Sequence, residues 1–309
     1  MNQSPPLFEK HIPVETDSMS AVDLLAEATD FSRQRIKQIM QKGAVWVSPA
    51  SGSERGSEKN AQRLRRAKKV LQPGDTLHLY YDEKILAEEP PTPELIADEG
   101  TYSVWYKPYG LRSQGSKWSD HCTIARWVET HLEPQRPAFV VHRLDRAATG
   151  LIIIAHKKST ATEFSRMFAK REIEKRYRVV VHGRFPDMPE PYTMAQAIDE
   201  RPAVSHATLL EYDAEQDRSL LEVNIESGRK HQIRRHLAWA GFPVVGDRLY
   251  GSADAKENLQ LTACYLSFSD PAAGPIDSPW GQRAKSKKEY RLDDARIVSL
   301  SRSIVNGNI

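Results

Sequence analysis

Residues 138–155, AFVVHRLDRAATGLIIIA, place two apolar runs on either side of a polar bend. The runs at 138–141 and 150–155 have the length and composition of buried strands. The bend between them carries Asp145, set between Arg143 and Arg146. Neighbouring guanidinium groups favour an ionised carboxylate, and loops at the ends of rigid strands commonly carry functional residues. The bend is therefore a candidate catalytic site, and a loop aspartate that only caps a turn is the alternative.

Strands and helices are mixed on both sides of this stretch. The spacing of apolar residues predicts helices at 123–132, 160–168 and 231–240, and strands at 102–106, 176–182 and 219–225. Because the two kinds of element do not alternate strictly, the pattern predicts an α+β fold rather than a doubly wound parallel sheet.

The N-terminal part is predicted to form a small, basic module. Residues 20–47 have the pattern of helix, turn, helix and strand, and a further strand is predicted at 77–81. The segment 33–69 holds eleven Lys and Arg against two Glu, a local charge of +9 in a chain of net charge +3. Such a block favours a polyanionic partner, most often a nucleic acid, and a solvated, solubilising segment is the alternative.

Composition shifts suggest the domain boundaries. The segment 86–99 is acidic and rich in proline, which is typical of a linker. The predicted organisation is a module at 1–85 with a mobile insertion at 48–62, a linker at 86–99, a catalytic domain at 100–275 and a C-terminal extension of unknown structure at 276–309.

Several classes of protein are excluded by composition. Hydrophobic residues make up 39% of the chain and charged residues 28%, and no apolar run approaches the ~20 residues that span a bilayer. The two cysteines cannot build a disulfide framework or a cysteine-rich zinc site, and no export signal is visible. We therefore expect a cytoplasmic protein that does not bind a membrane.

The bend belongs to a set of motifs that resembles one known family. The run HRLDRAATGLIIIA is similar to the HRLD-x-x-TSGLLL motif of the RluA-type pseudouridine synthases. Four further blocks resemble that family's motifs in the same order, namely KPYGL at 107–111, KRY at 175–177, SGRKHQIR at 227–234 followed by HLAWAGFPVVGDRLYG, and LQLTACYLSFSDP at 259–271. Residues 20–47 resemble the alpha-L RNA-binding module that many members carry at the N-terminus.

This resemblance implies a fold and an activity. The catalytic domain would contain a mixed, largely antiparallel sheet flanked by helices and loops. The enzyme would be an isomerase that detaches uracil from its ribose, turns the base and rejoins it through carbon, so neither a cofactor nor a metal is expected. The partner would be structured RNA, with large-subunit ribosomal RNA favoured over transfer RNA. A catalytically silent RNA-binding protein of the same fold is the other alternative, and the oligomeric state is open.

The resemblance also assigns residues. Asp145 would be the essential carboxylate, either as nucleophile or as the base that removes a sugar proton, with Arg234 as its ion-pair partner. Tyr177 would stack on the target base, which is flipped out of its helix at a cost of a few kcal/mol. Arg143 would fill the space that the base leaves, and Leu266 would close the pocket. The other expected substrate contacts are Lys107, Arg229, Lys230, His231 and Arg235, and those of the module are Arg33, Arg35, Lys37 and Lys42.

Two other sites could be built from these residues, and the sequence disfavours both. A metal site built from His231 and His236 is disfavoured because residues five apart on a helix point about 140° away from each other. A triad of Ser227, His231 and Asp145 lacks the strand–turn–helix setting of a nucleophilic serine. The family pattern is not matched at Ala148, Thr149 and Thr262, where Thr, Ser and His are usual.

Overall fold

The computed structural model describes residues 6–15, 19–50, 61–253, 255–271 and 286–300. The chain divides into two compact units, of which the first contains Met1–Pro90 and Gln114–Trp127 and the second contains Pro91–Ser113 and Val128–Ile309. Among the described residues, no helix is long and apolar enough to cross a membrane. The predicted mobile insertion at 48–62 lies largely outside the described residues, since 51–60 are not among them.

The first unit is a four-stranded antiparallel sheet with helices. Its elements are β1 (Leu7–Pro13), α1 (Ala21–Ala28), α2 (Arg33–Gln41), β2 (Val45–Ser48), β3 (Gln62–Arg63), β4 (Thr76–Asp82) and α3 (Glu83–Ala87), and the strand order is β1-β4-β2-β3. Ser20 and Ser32 begin the two longer helices by accepting hydrogen bonds from the backbone N–H groups of Asp23 and Arg35. The predicted order of helix, turn, helix and strand at 20–47 is therefore confirmed.

The segment 114–127 belongs to the first unit through specific contacts. Asp120 accepts hydrogen bonds from Arg65 Nη2 at 2.6 and 2.5 Å and forms an ion pair with Arg63 at 3.1 Å. The indole N–H of Trp46 donates to the carbonyl oxygen of Lys117 at 2.9 Å. The first unit is therefore assembled from two separate stretches of the sequence.

The second unit is built on a ten-stranded mixed sheet. Its strands are β5 (Glu94–Asp98), β6 (Tyr102–Lys107), β7 (Phe139–Val140), β8 (Thr149–Ala155), β9 (Glu174–His182), β10 (Tyr192–Met194), β11 (Ser205–Asp213), β12 (Arg218–Ile225), β13 (Leu261–Ser269) and β14 (Lys287–Arg291). The order is β10-β11-β12-β9-β13-β8-β6-β5, with β14 on β13 and β7 on β8. Among the described pairs only β8 and β13 run parallel. Its helices are α5 (Lys158–Ala169) and α6 (Gln232–Trp239), and the residues of α4 (Ile124–His131) are divided between the two units after Trp127.

The α+β prediction is thus confirmed, and the core follows the apolar runs. Strand β8 is buried along its whole length, and Leu151 and Ile153 pack in one cluster with Phe164 and Met167 of α5. Gly150 has φ +113°, and a Cβ there would overlap the backbone of Ala263. A glycine is therefore needed where β8 and β13 approach.

The segment 86–99, predicted as a linker, contains the end of a helix and a strand. Glu94–Asp98 forms β5 at the edge of the sheet and pairs with β6, and α3 extends to Ala87. Its acidic, exposed residues hide the alternation of a buried strand, which is typical of an edge strand. The C-terminal extension also contributes to the sheet, since β14 pairs with β13 and Lys288 Nζ contacts Glu99 Oε2 at 2.7 Å.

Candidate active site

The side chains of Ser113 and His142 hold the backbone around the bend between β7 and β8 by hydrogen bonds. The hydroxyl of Ser113 accepts from the N–H of Leu144 at 3.0 Å and donates to the carbonyl oxygen of Leu144 at 2.8 Å. His142 Nε2 accepts from the N–H of Ile153 at 2.9 Å, and burial lowers the pKa of His142 to about 3, so its ring is neutral. These bonds fix the backbone on which Asp145 lies.

One arginine joins two carboxylates at this bend. Arg234, in the first turn of α6, donates from Nε and Nη2 to the two carboxylate oxygens of Asp247, both at 2.7 Å. Its Nη1 donates to Asp145 Oδ2 at 3.2 Å. The side chains of Arg234 and Asp247 are 6% and 0% exposed, whereas that of Asp145 is 24% exposed. The guanidinium is therefore anchored on its buried side by Asp247 and presents its remaining edge to Asp145.

Electrostatics favour the charged forms of this anchor. Burial by itself lowers the pKa of Arg234, but its bonds to Asp247 and Asp145 outweigh burial and raise that pKa. Burial raises the pKa of Asp247, but Arg234 and the backbone N–H groups of Leu249 and Tyr250 together lower it below its ordinary value. Asp247 is thus an anion and Arg234 a cation at neutral pH.

His231 lies on the other side of Asp145. Its Nε2 is 3.9 Å from Asp145 Oδ1, and its Nδ1 is 3.0 Å from the hydroxyl of Tyr250. His231 precedes α6 with φ 54° and ψ 31°, a left-handed conformation that few residues other than glycine adopt. The side chain of Gln232 fixes this turn by accepting from Ser227 Oγ and by donating to the carbonyl oxygen of Val204.

These side chains line a cavity. Its volume is about 210 Å³, several times the roughly 30 Å³ of one water molecule. The lining includes Tyr109, Asp145, His231, Arg234, Arg248 and Leu249. The cavity thus combines the carboxylate of Asp145, the three guanidinium groups of Arg146, Arg234 and Arg248 and the imidazole of His231 with aromatic and apolar surface.

Two of the expected substrate contacts, Lys107 and Leu266, are buried and do not line the cavity. The Nζ of Lys107 is buried and donates to the carbonyl oxygens of Pro108, Leu111 and Arg146 at 3.1, 2.9 and 3.4 Å, so it cannot reach a phosphate. Burial lowers its pKa to about 7, although Asp145 opposes that shift. Leu266 is 1% exposed and packs in the core cluster with Phe268, not in the lining of the cavity. The sequence does not show that Lys107 and Leu266 are buried, because burial depends on packing between distant segments.

Tyr177 lies on β9 and Arg143 lies in the bend that carries Asp145, and neither is among the residues that line the cavity. Tyr177 on β9 is 6% exposed, and burial together with the charge of Asp145 raises the pKa of its hydroxyl. Arg143 is exposed in the bend itself. Lys230 is exposed and Arg229 half-buried immediately before His231, where Arg229 Nε donates to the carbonyl oxygen of Pro202 at 3.2 Å.

The departures from the family motif contact each other. The hydroxyls of Thr149 and Thr262 are 2.9 Å apart across the parallel β8–β13 pair, and both side chains are buried. Sequence reasoning missed Asp247 and Tyr250 altogether. The signal that marks them is the block GDRLYG at 246–251, in which Gly246 has φ +77° and a Cβ would overlap Asn258.

The basic residues of the first unit fall into two groups. Arg33 pairs with Asp23 at 2.7 Å, Arg35 Nη2 donates to the Tyr81 hydroxyl at 3.1 Å, and Lys42 Nζ donates to the carbonyl oxygen of Leu86 at 2.8 Å. A basic groove of about 820 Å³ is lined instead by Lys37, Gln41, Arg65, Arg66, Ala67, Lys68 and Lys69. Within the described part of the chain, the exposed Lys37, Arg66, Lys68 and Lys69 form no ion pair.

Comparison with known proteins agrees with this geometry. Residues 101–239 match the family described as RNA pseudouridylate synthase. An RNA pseudouridine synthase of Synechocystis sp., named as uncharacterized, is 32% identical over 208 residues, which cover 62% of this chain and 69% of that protein. Ribosomal large subunit pseudouridine synthase D of Neisseria meningitidis is 26% identical over 276 residues, covering 79% and 70%.

A solved structure shares the fold. Human RNA pseudouridylate synthase domain containing 1 superposes with a TM-score of 0.52 at 20% identity, covering 67% of this chain and 87% of that one. The family match spans the bend with Asp145 and the first turns of the helix with Arg234. The chain therefore belongs to the RNA pseudouridylate synthase family, whose members are isomerases that convert uridine in RNA to pseudouridine.

Proposed function

We propose that this enzyme isomerises a uridine of large-subunit ribosomal RNA, with Asp145 as its essential carboxylate. The observation that carries the proposal is the bond from Arg234 Nη1 to Asp145 Oδ2 at the edge of a cavity. Because Asp247 occupies the other edge of the guanidinium, Arg234 is held in one orientation, with Nη1 donating to Asp145. An ionised carboxylate suits both attack on the sugar and removal of a sugar proton.

The substrate uridine reaches this carboxylate by leaving its helix. Asp145 lies at the lining of the cavity, and enzymes that act on a base within a helix commonly flip that base into such a pocket. Tyr177 supplies an aromatic ring for the flipped base, and Arg143, exposed in the same bend, occupies the space from which the base came.

Ribosomal RNA is favoured as the target by two observations. The Neisseria relative carries a ribosomal name, and the basic groove of the first unit offers phosphate contacts in addition to those of the catalytic unit. A large folded RNA presents phosphates to both units, and such contacts supply most of the sequence-independent affinity. The first unit acts in this proposal as the RNA-binding module that its sequence resembles.

The chemistry is tested by tritium release. RNA transcribed with 5-tritiated uridine loses tritium only if C5 exchanges its hydrogen for the ribose. We expect the wild-type chain to release tritium from large-subunit ribosomal RNA, and D145N to release none while it binds the RNA with unchanged affinity. Release by D145N at the wild-type rate contradicts the role of Asp145. Release from transfer RNA alone overturns the choice of target but not the reaction.

The role of the groove is tested by charge reversal. The triple variant K37E, K68E and K69E removes three exposed cations, so the slope of log affinity against log salt should fall by about 2–3. The matched control reverses Lys157, Lys158 and Lys170, which are exposed at the two ends of α5 and lie outside the groove. A salt slope that changes equally in both variants rejects the groove as a phosphate site.

A further inference from the structure

The reaction requires a group that accepts a proton from carbon. In forming pseudouridine the C1′–N1 bond breaks, a C1′–C5 bond forms, the C5–H bond breaks and N1 gains a proton, so no oxidant or reductant is needed. The C5 proton must pass to a base that lies at the cavity and is unprotonated at the working pH. Such a base can later return a proton to N1 directly or through water.

We propose that His231 is this base, an inference that rests on the proposed function. Its Nε2 lies 3.9 Å from Asp145 Oδ1 at the lining of the cavity. This distance is too long for a hydrogen bond, but both groups can contact the same substrate. In this proposal, the uracil of a uridine whose sugar lies at Asp145 is next to His231 Nε2.

The surroundings of His231 fit the acceptance of a proton. The proposal uses the tautomer in which Nδ1–H donates to the Tyr250 hydroxyl, 3.0 Å away, and Nε2 keeps its lone pair on the side of Asp145. Once Nε2 takes the C5 proton, the carboxylate of Asp145 stabilises the imidazolium, as an acidic partner does in other acid–base pairs. The left-handed backbone at His231 holds the ring in place, since residues with this conformation persist only where the surrounding structure fixes them.

The charged neighbours leave the ring neutral before the reaction. Burial lowers the pKa of His231 below its ordinary value, and Arg234 and Lys230 lower it further, while Asp145 and Asp247 oppose them. His231 is therefore an unprotonated imidazole at pH 7 and a stronger base than a carboxylate by roughly two pKa units in their ordinary states.

The other polar groups of the site are less suitable. Lys107 directs its buried Nζ to three backbone carbonyls and does not line the cavity. The raised pKa of Tyr177 makes its anion costly to form, and Arg234 remains protonated at all working pH values. Asp145 accepts a hydrogen bond from Arg234 and acts on the sugar in the proposed function.

The test uses H231N in the full chain, with H206Q as the control. Asparagine tolerates the left-handed backbone and leaves room for free imidazole. His206 is a surface histidine paired with Glu226 on β11, away from the cavity lining. Single-turnover rates are measured on RNA with 5-protio or 5-deuterio uridine, with and without added imidazole. H231Q, whose longer amide can still reach Tyr250, is measured in parallel so that a folding defect in one variant does not decide the outcome.

We expect H231N and H231Q to be slower than wild type by about 10²–10⁴-fold, with a C5 deuterium isotope effect larger than that of wild type. Added imidazole should restore part of the rate of H231N in proportion to its concentration, and H206Q should behave as wild type. A rate loss with no larger isotope effect and no rescue overturns the proposal, as does an unchanged rate. Wild-type chain that forms no pseudouridine overturns the proposed function instead, so the two failures are distinguishable.

Discussion

Replacing Asp247 by asparagine removes one charge from the most deeply buried ion pair of the site. In D247N the oxygen can still accept from the backbone N–H groups of Leu249 and Tyr250, but the new amide N–H₂ faces the Nε–H of Arg234. The guanidinium, 6% exposed, is then left without its main counter-ion. Removing one partner of a buried pair costs about 3–5 kcal/mol. This is a large share of the roughly 5–15 kcal/mol that stabilises a native domain.

The assay is the free energy of unfolding of D247N in urea, measured by circular dichroism from pH 3 to pH 8. The pKa of Asp247 is lower in the folded than in the unfolded chain, so its contribution is complete above the unfolded pKa of about 4 and is lost as pH falls through the folded pKa. The deficit of the variant should therefore shrink on acidification. D199N is the control, because Asp199 pairs with Arg235 at the surface and should leave the urea midpoint unchanged. A deficit below about 1 kcal/mol at pH 7 refutes the reasoning.

Three further predictions concern other parts of the site. G246A should destabilise the fold by at least about 1–3 kcal/mol in the same urea assay, because φ is +77° and the new Cβ meets Asn258, and wild-type stability of G246A contradicts this. K107M should be less stable than wild type by a larger margin at pH 10 than at pH 7. The pKa of Lys107 is about 7 in the folded chain and about 10.4 in the unfolded chain, so wild type gains stability as the pH rises between these values. A stability deficit of K107M that is constant with pH contradicts the lowered pKa. Y177A should lose about 1–3 kcal/mol of base stacking in kcat/KM while Y177F keeps it, and equal values for both variants exclude stacking.

Sequence pattern was sufficient for the fold wherever a periodic signal is local. The run of isoleucines at 152–154 predicts β8, and Ser20 and Ser32 mark the starts of α1 and α2. Strand β5 was not predicted, because its residues are largely exposed and include acidic side chains at a sheet edge. An edge strand need not alternate apolar and polar side chains. The role of β14 in the sheet also could not be read, since its pairing with β13 depends on contacts between distant segments.

The site shows the same limit. Asp145 and Arg234 are brought together as expected, but the Asp247 carboxylate that orients Arg234 was not assigned any role. Lys107 was expected to contact the substrate, whereas its Nζ is buried among three backbone carbonyl oxygens, an environment that is rare for lysine. Residue types therefore indicated the chemistry of the site, whereas the hydrogen-bond partners and the burial of each side chain could be read only from the tertiary structure.

The two-part composition of the first unit limits how evolution or an engineer could exchange it. A module joined by one linker can be swapped by a single cut, but here the sequence passes between the units after Pro90, Ser113 and Trp127. A shortened chain that lacked residues 1–90 would retain Asp120 without the arginines that neutralise it. Transplanting the unit into another enzyme thus requires both stretches, and related proteins that differ in this unit are expected to differ at 114–127 as well.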